Sequence, residues 1–156
     1  MTKDEIYMSK ALLQARYAHQ DDEVPVGAVI VYKNKIIAQS YNQVERLKDP
    51  TAHAEMIAIT QAVSFLGSKW LKGCLLYVTV EPCLMCAGAL VLSRIDKIIF
   101  GTSDLKTGAF GSQMDINSLS LNHKIKVKSG ILREESAKIL QEFFQNKRKQ
   151  KQLCCQ

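Results

Sequence analysis

Two short segments of the sequence carry side chains that bind metal ions and transfer protons. The segment "TAHAEM" places His53 two positions before Glu55, and the segment "PCLMC" places Cys83 three positions before Cys86. Imidazole nitrogens and thiolate sulfurs are preferred zinc ligands, and a carboxylate next to the metal can act as a general base. The two segments together therefore predict a zinc site with a proton-transferring group beside it.

The spacing of the two cysteines predicts that both bind the same ion. Pro82 precedes them and suits the beginning of a helix, where positions three apart lie one above the other on the same side. The free N–H groups and the positive dipole at a helix N-terminus favour thiolates, which are the metal-binding form of cysteine. We therefore expect Cys83 and Cys86 to project toward one point at the start of a buried, apolar helix.

His53 and Glu55 present a different geometry, because residues two positions apart are about 200° apart around a helix. Both can reach one site only if that site lies off the end of the helix. With His53, Cys83 and Cys86 as ligands, a tetrahedral zinc ion keeps a fourth position open for water, as catalytic zinc sites do. Two thiolates offset the charge of the ion and weaken its effect on that water. We therefore expect Glu55 to take the proton of the water and to return it to the leaving group.

Other functions are compatible with parts of this pattern. The spacing of Cys83 and Cys86 also occurs in thioredoxin-like redox proteins, and a single histidine near a helix start is often only a surface residue. A redox function leaves His53 and Glu55 without a role. A noncatalytic binding module or a structural zinc module leaves Glu55 and the open fourth position unexplained. The combined pattern favours a catalytic zinc site.

The elements that must position these residues are helices and strands in alternation. A first helix is predicted over about Asp4–His19, with Ile6, Leu13 and Tyr17 on one face, and a last helix over about Arg133–Lys149. The β-rich runs predict strands at 27–31, 36–40, 75–80, 96–101 and 124–130, the first two joined as a hairpin. We expect a mixed, mainly parallel sheet with helices on both faces.

The composition narrows the class of protein. The chain has 156 residues, 47% of them hydrophobic, which suits one folded domain. We expect a cytoplasmic protein without a membrane segment, because apolar runs of spanning length and a secretory signal are missing and the five cysteines suit a reducing compartment. The net charge is +6, and Lys147, Arg148, Lys149 and Lys151 form a basic cluster. Such a cluster is typical of a solvated tail or of a surface that attracts phosphate.

Further segments carry a resemblance to a known family. "HAE" and "PCLMC" match the general signature of zinc deaminases. Together with "EVPVGAVIV", "YVTVEPCLMCAGAL", "SRIDKIIFG" and "KTGAFGS", they make the chain closely resemble the bacterial tRNA adenosine deaminases over about residues 3–148. The resemblance implies a cytidine deaminase-like three-layer α/β/α fold with a mixed central sheet of about five strands. It also implies a deaminase domain over 1–148, followed by a basic tail over 149–156.

The activity that the resemblance implies is hydrolytic conversion of adenosine to inosine, with release of ammonia. Its site would be the wobble position of a tRNA anticodon, chiefly that of an arginine tRNA with an ACG anticodon. The enzyme would be a homodimer with one Zn²⁺ per subunit, and its partner would be the tRNA anticodon stem-loop. His53, Cys83 and Cys86 would bind zinc, and Glu55 would donate and accept the proton.

Three further residues acquire candidate roles only through this resemblance. Asn42 matches the asparagine that hydrogen-bonds the target base, although at this position it is also a plausible turn residue. Phe144 and Arg148 match the part of the C-terminal helix that meets the anticodon loop, although Phe144 is also a candidate for the core. The final segment "QKQLCCQ" departs from the family pattern, and we expect Cys154 and Cys155 to be inert.

The nearest alternative is a deaminase of small molecules such as guanine, cytosine or cytidine. The zinc signature alone does not separate the two activities, because the same chemistry serves both. The features that favour a tRNA substrate are the basic C-terminal helix and the loops at 42–52 and 101–112, which a free-base deaminase does not need.

Overall fold

A mixed β-sheet forms the middle of the computed structural model, which describes residues 1–154. Within that range the five strands are β1 (Gly27–Tyr32), β2 (Lys35–Tyr41), β3 (Cys74–Val80), β4 (Lys97–Thr102) and β5 (Lys126–Ser129). Their spatial order is β2-β1-β3-β4-β5. The prediction of a mixed sheet is confirmed. Strand β1 is antiparallel to both β2 and β3, whereas β4 is parallel to both β3 and β5, so four of these five strands run in the same direction.

Helices cover both faces of this sheet and complete the predicted three layers. They are α1 (Lys3–Gln20), α2 (Val44–Leu47), α3 (Ala54–Leu66), α4 (Leu84–Leu92) and α5 (Arg133–Cys154). Helix α1 packs on one face of the sheet together with α5, and α3 and α4 pack on the other. A 3₁₀ helix, Ile116–Ser118, lies in the long segment between β4 and β5.

The central strands are buried on both sides, as the apolar run at 75–80 predicted. Because side chains alternate along a strand, Ala28 and Ile30 of β1 join the core under α3 and α4, while Val29 and Val31 join the core under α1. Strand β3 lies beside β1 and is almost completely buried. The end of β3 is therefore held by packing on both faces of the sheet.

Local sequence signals account for several element boundaries. The β1–β2 hairpin turns at Lys33 and Asn34, whose φ angles of 48° and 63° are those of a two-residue turn that matches the twist of the strands. Helix α1 begins with a capping box between Thr2 and Glu5. Helix α3 ends at Gly67, whose φ of 62° suits glycine.

In two helices, the buried side differs from the one that the sequence pattern predicted. Ile6, Leu13 and Tyr17 share a face of α1, but all three are exposed, and the buried positions are Met8, Ala11, Leu12, Ala15 and Ala18. Small alanines allow the helix to lie close to β1, so the core-facing side is not the one with the largest apolar residues. Helix α4 is buried on one side only, and its Leu84 and Leu92 are exposed.

The C-terminal helix is longer than the sequence pattern indicated. It continues past Lys149 to Cys154, at the end of the described residues. Cys155 lies outside the described residues, and the division into a domain over 1–148 and a tail over 149–156 stays a prediction. Among residues 1–154, no helix has both the length and the apolar character needed to span a membrane.

Candidate active site and metal centre

Two helix N-termini meet at the site that the sequence predicted. His53 is the N-cap residue of α3, and Cys83 is the N-cap residue of α4. Neither side chain forms a capping hydrogen bond, so both are available to the site. Glu55 and Cys86 lie in the first turns of the same helices. The site therefore lies off the ends of both helices, as the spacing of His53 and Glu55 required.

The three predicted ligands have the separations of a tetrahedral zinc site. The Nδ1 atom of His53 lies 3.6 Å from the sulfur of Cys83 and 3.5 Å from the sulfur of Cys86, and all three ligand atoms lie within 4.8 Å of one another. Typical zinc bonds of about 2.0–2.1 Å to nitrogen and about 2.3 Å to sulfur place the two ligand atoms about 3.6 Å apart at a tetrahedral angle. The residues therefore fit zinc in both chemistry and distance.

In the metal-free protein the two cysteines share one proton unequally. A hydrogen bond from the Cys86 thiol lowers the pKa of Cys83 to about 4, although burial opposes the shift. The same contact, with burial, raises the pKa of Cys86. The hydrogen bond with Cys83 also raises the pKa of His53. Cys83 is thus a thiolate before metal binds, and a metal that binds both sulfurs must displace the proton of Cys86.

Glu55 lies beside this group in a buried position. Burial raises the pKa of its carboxyl group, because a charged carboxylate is poorly solvated there. A raised pKa brings a carboxylate closer to neutral pH, where it can both accept and release a proton. The position and protonation of Glu55 are therefore suited to proton transfer next to the metal ligands.

A cavity of about 210 Å³ opens next to these residues. It is lined by Val24, Val26, Asn42, His53, Glu55, Val80, Glu81, Cys83, Asp104 and Thr107. Pockets for drug-sized ligands usually exceed about 300 Å³, so this cavity suits a single base better than a whole nucleotide. Its three valines offer apolar walls, and its polar residues lie around the metal site.

The side-chain oxygen of Asn42 already accepts a hydrogen bond within the protein. Its Oδ1 atom accepts a hydrogen bond of 3.2 Å from the backbone N–H of Ala54, at the start of α3. Because an N–H group can donate only to the oxygen, this contact fixes the orientation of the amide. The structure brings Asn42 to the cavity, where its NH₂ group can donate to a ligand.

The residues predicted on α5 lie at the rim of the cavity rather than in it. Phe144 is 45% exposed, which excludes the alternative of a core position; Phe143 is the buried neighbour. Phe144 lines two larger grooves that share walls with the cavity, of about 910 and 560 Å³. Arg148 lines the smaller one.

The larger groove is less basic than the net charge suggests. It contains Arg46, Lys48, Lys147 and Lys151 but also acidic residues. Three of its cations are paired, in contacts of 3.9 Å from Arg46 to Asp21, 3.7 Å from Lys48 to Glu45 and 2.6 Å from Lys147 to Asp22. Its positive charge is therefore partly neutralised before any ligand binds.

Several wall residues were missed by the sequence argument. Glu81 precedes the cysteine motif, and Asp104 and Thr107 belong to the loop after β4. The one available signal was a charged residue directly after the nearly continuous apolar run at 75–80. A carboxylate at the end of a buried strand requires hydrogen-bond partners.

Comparisons with known sequences agree with this geometry. Residues 1–102 match the family described as the cytidine and deoxycytidylate deaminase zinc-binding region. The chain is also 46% identical over 152 residues to a tRNA-specific adenosine deaminase of Bacillus subtilis. That alignment covers 97% of this chain and 94% of the relative.

Solved structures show the same relationship. A structure from a study of A-to-I editing by tRNA:A34 deaminases has a TM-score of 0.85 and 44% identity, covering 86% of this chain and 99% of that chain. The guanine deaminase of Bacillus subtilis has a TM-score of 0.61 and 29% identity, covering 76% of this chain and 86% of that chain. The predicted fold is therefore confirmed, and the similarity is greater to the first structure than to the second.

The shared proton of the cysteines predicts how the metal-free protein reacts with iodoacetamide. Because the pKa of Cys83 is lowered to about 4, Cys83 is a reactive thiolate at pH 6, where an ordinary thiol is protonated. We expect its alkylation rate to change little between pH 6 and pH 8 and to fall only near pH 4, as followed by peptide mass spectrometry.

Cys74 is the internal control for this experiment, because it is buried and its pKa is raised to about 11. We expect it to stay unmodified throughout. A Cys83 rate that rises about tenfold per pH unit from 6 to 8, as for an unperturbed thiol, would contradict the arrangement of the shared proton.

Proposed function

The chain belongs to the cytidine and deoxycytidylate deaminase family and, within it, to the tRNA-specific adenosine deaminases, and we propose from this that it converts the wobble adenosine of a tRNA anticodon to inosine. The single observation that carries the chemistry is the group His53, Cys83 and Cys86 beside the buried Glu55. The near-complete overlap with tRNA-specific relatives supports the substrate.

The proposal assigns one Zn²⁺ per subunit to His53, Cys83 and Cys86. Its support is the set of ligand separations and the low pKa of Cys83, which provides a thiolate for the first contact. When bound, the metal supplies the activation of a water molecule. Three protein ligands leave room for that water, and the cavity provides the space.

Glu55 performs the proton transfers in this proposal. Its carboxylate accepts a proton from the water whose oxygen becomes bonded to C6 of the adenine, and it delivers this proton to ring nitrogen N1. It then takes the remaining proton from the hydroxyl on C6 and passes it to the amino nitrogen, so that the C6–N bond breaks, ammonia leaves and C6 becomes a carbonyl. One buried carboxylate can serve both directions because its raised pKa permits both protonation states.

The cavity holds the base, and Asn42 orients it. The Asn42 amide donates to an acceptor atom of the adenine, since its oxygen is already occupied by the N–H of Ala54. The walls formed by Val24, Val26 and Val80 contact the ring. A cavity of this size requires the base to be turned out of its strand, which costs less in an anticodon loop than in a duplex.

Phe144 and Arg148 contact the nucleotides next to the target in this proposal. The support is their position at the rim: an exposed aromatic ring offers a stacking surface, and an exposed guanidinium can bind phosphate. Lys106 lines the same groove and adds a second cation. Binding of the anticodon stem-loop therefore includes a contribution that weakens with salt.

The proposal includes a homodimer in the cytoplasm, where tRNA is decoded. Leu84, Gly88 and Leu92 are spaced by four residues and form one ridge along α4. Leu84 is 56% and Leu92 is 80% exposed, and a Cβ added at Gly88 would meet no atom within 4 Å. This apolar ridge begins next to the metal ligands and suits contact with a second copy of the chain.

The substrate is tested by comparing a transcribed arginine tRNA bearing an ACG anticodon with free adenosine, guanine, cytosine and cytidine. We expect conversion only of the wobble adenosine, read as guanosine after reverse transcription, with binding that weakens as salt increases. A second tRNA with guanosine at that position is the control. Deamination of a free base beside an unchanged tRNA would instead support the small-molecule alternative.

Replacement of Glu55 separates proton transfer from metal binding. In Glu55→Ala we expect zinc content near one per subunit but at least about a 100-fold loss of turnover, because the acid–base group is removed while the ligands remain. The matched variant Cys86→Ala should lose both zinc and activity. Zinc is measured by elemental analysis after gel filtration, and loss of zinc from Glu55→Ala would indicate a ligand role for Glu55.

Asn42→Asp isolates the role of the Asn42 NH₂ group. Aspartate keeps the oxygen that accepts from Ala54 but replaces the donor by a second acceptor. We expect a lower melting temperature, because the new carboxylate is nearly buried with one donor, and also a kcat/KM for the tRNA lower by about 10- to 100-fold, the range for one unmatched hydrogen bond. A variant that melts earlier but keeps its kcat/KM would instead give Asn42 a structural role only.

A further inference from the structure

Glu81, immediately after β3, carries a buried carboxylate whose partners all lie in one distant segment. It is 3% exposed. Its oxygens accept the backbone N–H groups of Asp104 at 3.2 Å, Phe110 at 3.0 Å and Ser112 at 3.2 Å. They also accept the Ser112 hydroxyl. Four neutral donors from 104–112 thus surround this charge in place of water.

The same segment is fixed to the backbone beside the metal ligand. Gly108 forms an antiparallel bridge with Cys83, and the N–H of Ala109 donates to the carbonyl of Pro82 at 2.9 Å. Gly108 lies so close to Glu81 that a Cβ at this position would overlap the carboxylate. The loop therefore folds around Glu81 and against Cys83 together.

We propose that Glu81 is a positioning residue that joins the metal ligand Cys83 and the segment 104–112 into one rigid unit. Through this unit a single carboxylate sets two walls of the cavity: the ligand on one side, and Asp104 and Thr107 on the other. The side-chain hydrogen bonds of Glu81 all go to the segment 104–112, so Glu81 acts on Cys83 through the backbone. The inference rests on the proposed zinc site at His53, Cys83 and Cys86.

Glu23 provides a matched control on the other side of the site. It is 1% exposed and holds the short helix α2 by accepting the backbone N–H groups of Glu45 and Arg46, both at 2.8 Å. Helix α2 carries no metal ligand and lines the larger groove. Both acids are buried and accept backbone N–H groups, and they differ in whether the segment they hold reaches a ligand.

The test compares Glu81→Gln with Glu23→Gln. Glutamine keeps the shape of the side chain, but its NH₂ group faces backbone N–H donors and cannot accept from them. For Glu81→Gln we expect zinc affinity, measured by competition with a chelator, to fall about 10- to 100-fold, the range for residues that orient metal ligands. For Glu23→Gln we expect zinc affinity within about twofold of the wild type.

Two readouts distinguish positioning from general destabilisation. Co²⁺ in place of zinc reports the ligand geometry through its thiolate charge-transfer bands, which should shift in Glu81→Gln and not in Glu23→Gln. Amide exchange of Asp104 should accelerate only in Glu81→Gln. The single oxygen of glutamine can keep the N–H groups of Phe110 and Ser112, which share one carboxylate oxygen, so its NH₂ group faces the N–H of Asp104 and the Ser112 hydroxyl. Thermal unfolding of both metal-free variants shows whether their stabilities match.

A milder variant keeps the test decisive if Glu81→Gln does not fold. Ser112→Ala removes one donor without changing the charge, and we expect a smaller loss of zinc affinity in the same direction. The inference would be overturned if Glu81→Gln had the same zinc affinity and cobalt spectrum as Glu23→Gln. If only Ser112→Ala folds, a wild-type zinc affinity and cobalt spectrum in that variant would overturn it. None of these measurements uses tRNA, so failure of the proposed substrate leaves the result interpretable.

Discussion

The convergence of two helix N-termini at the end of β3 is the constraint on which the rest of the site depends. Helices α3 and α4 begin at His53 and Cys83, so their unpaired N–H groups and dipoles favour negative charge at one point. These helix ends favour the thiolate form of Cys83, and the thiolate is the form of cysteine that binds a metal ion. The strand that leads into α4 is buried on both faces, which prevents the ligands from moving apart.

Two buried acids, Glu55 and Glu81, line the cavity at this point, and a third, Glu23, lines the adjoining larger groove. Glu23 accepts backbone N–H groups of α2 and Glu81 accepts those of the segment 104–112, so each holds a backbone segment in place. Glu55 instead faces the metal ligands, and burial raises its pKa. Glu55 is therefore the acid that is suited to proton transfer, whereas Glu23 and Glu81 act through the fixed hydrogen bonds of the segments that they hold.

The parts of the molecule that the sequence predicted are those specified by local spacing. Helix geometry interprets the spacing of Cys83 and Cys86 and the spacing of His53 and Glu55. Strand geometry interprets the nearly continuous apolar run of β3. The buried side of α1 was not predictable in this way, because the close approach of alanines to β1 outweighs the size of Ile6 and Leu13. Glu81 was also missed because its role depends on contacts between distant parts of the chain: its donors are 23 to 31 residues away in sequence.

Selection of the substrate must come from outside the catalytic cavity. A zinc site with a proton-transferring carboxylate can perform the same hydrolysis on any suitable amino-substituted ring. A cavity of about 210 Å³ has room to contact only the base. In the proposed function, the rim would distinguish a nucleotide in a loop from a free base, through the exposed ring of Phe144 and the cations of the smaller groove. Three cations of the larger groove are already paired with acids, so the net charge of +6 overstates the positive charge that this groove offers to phosphate.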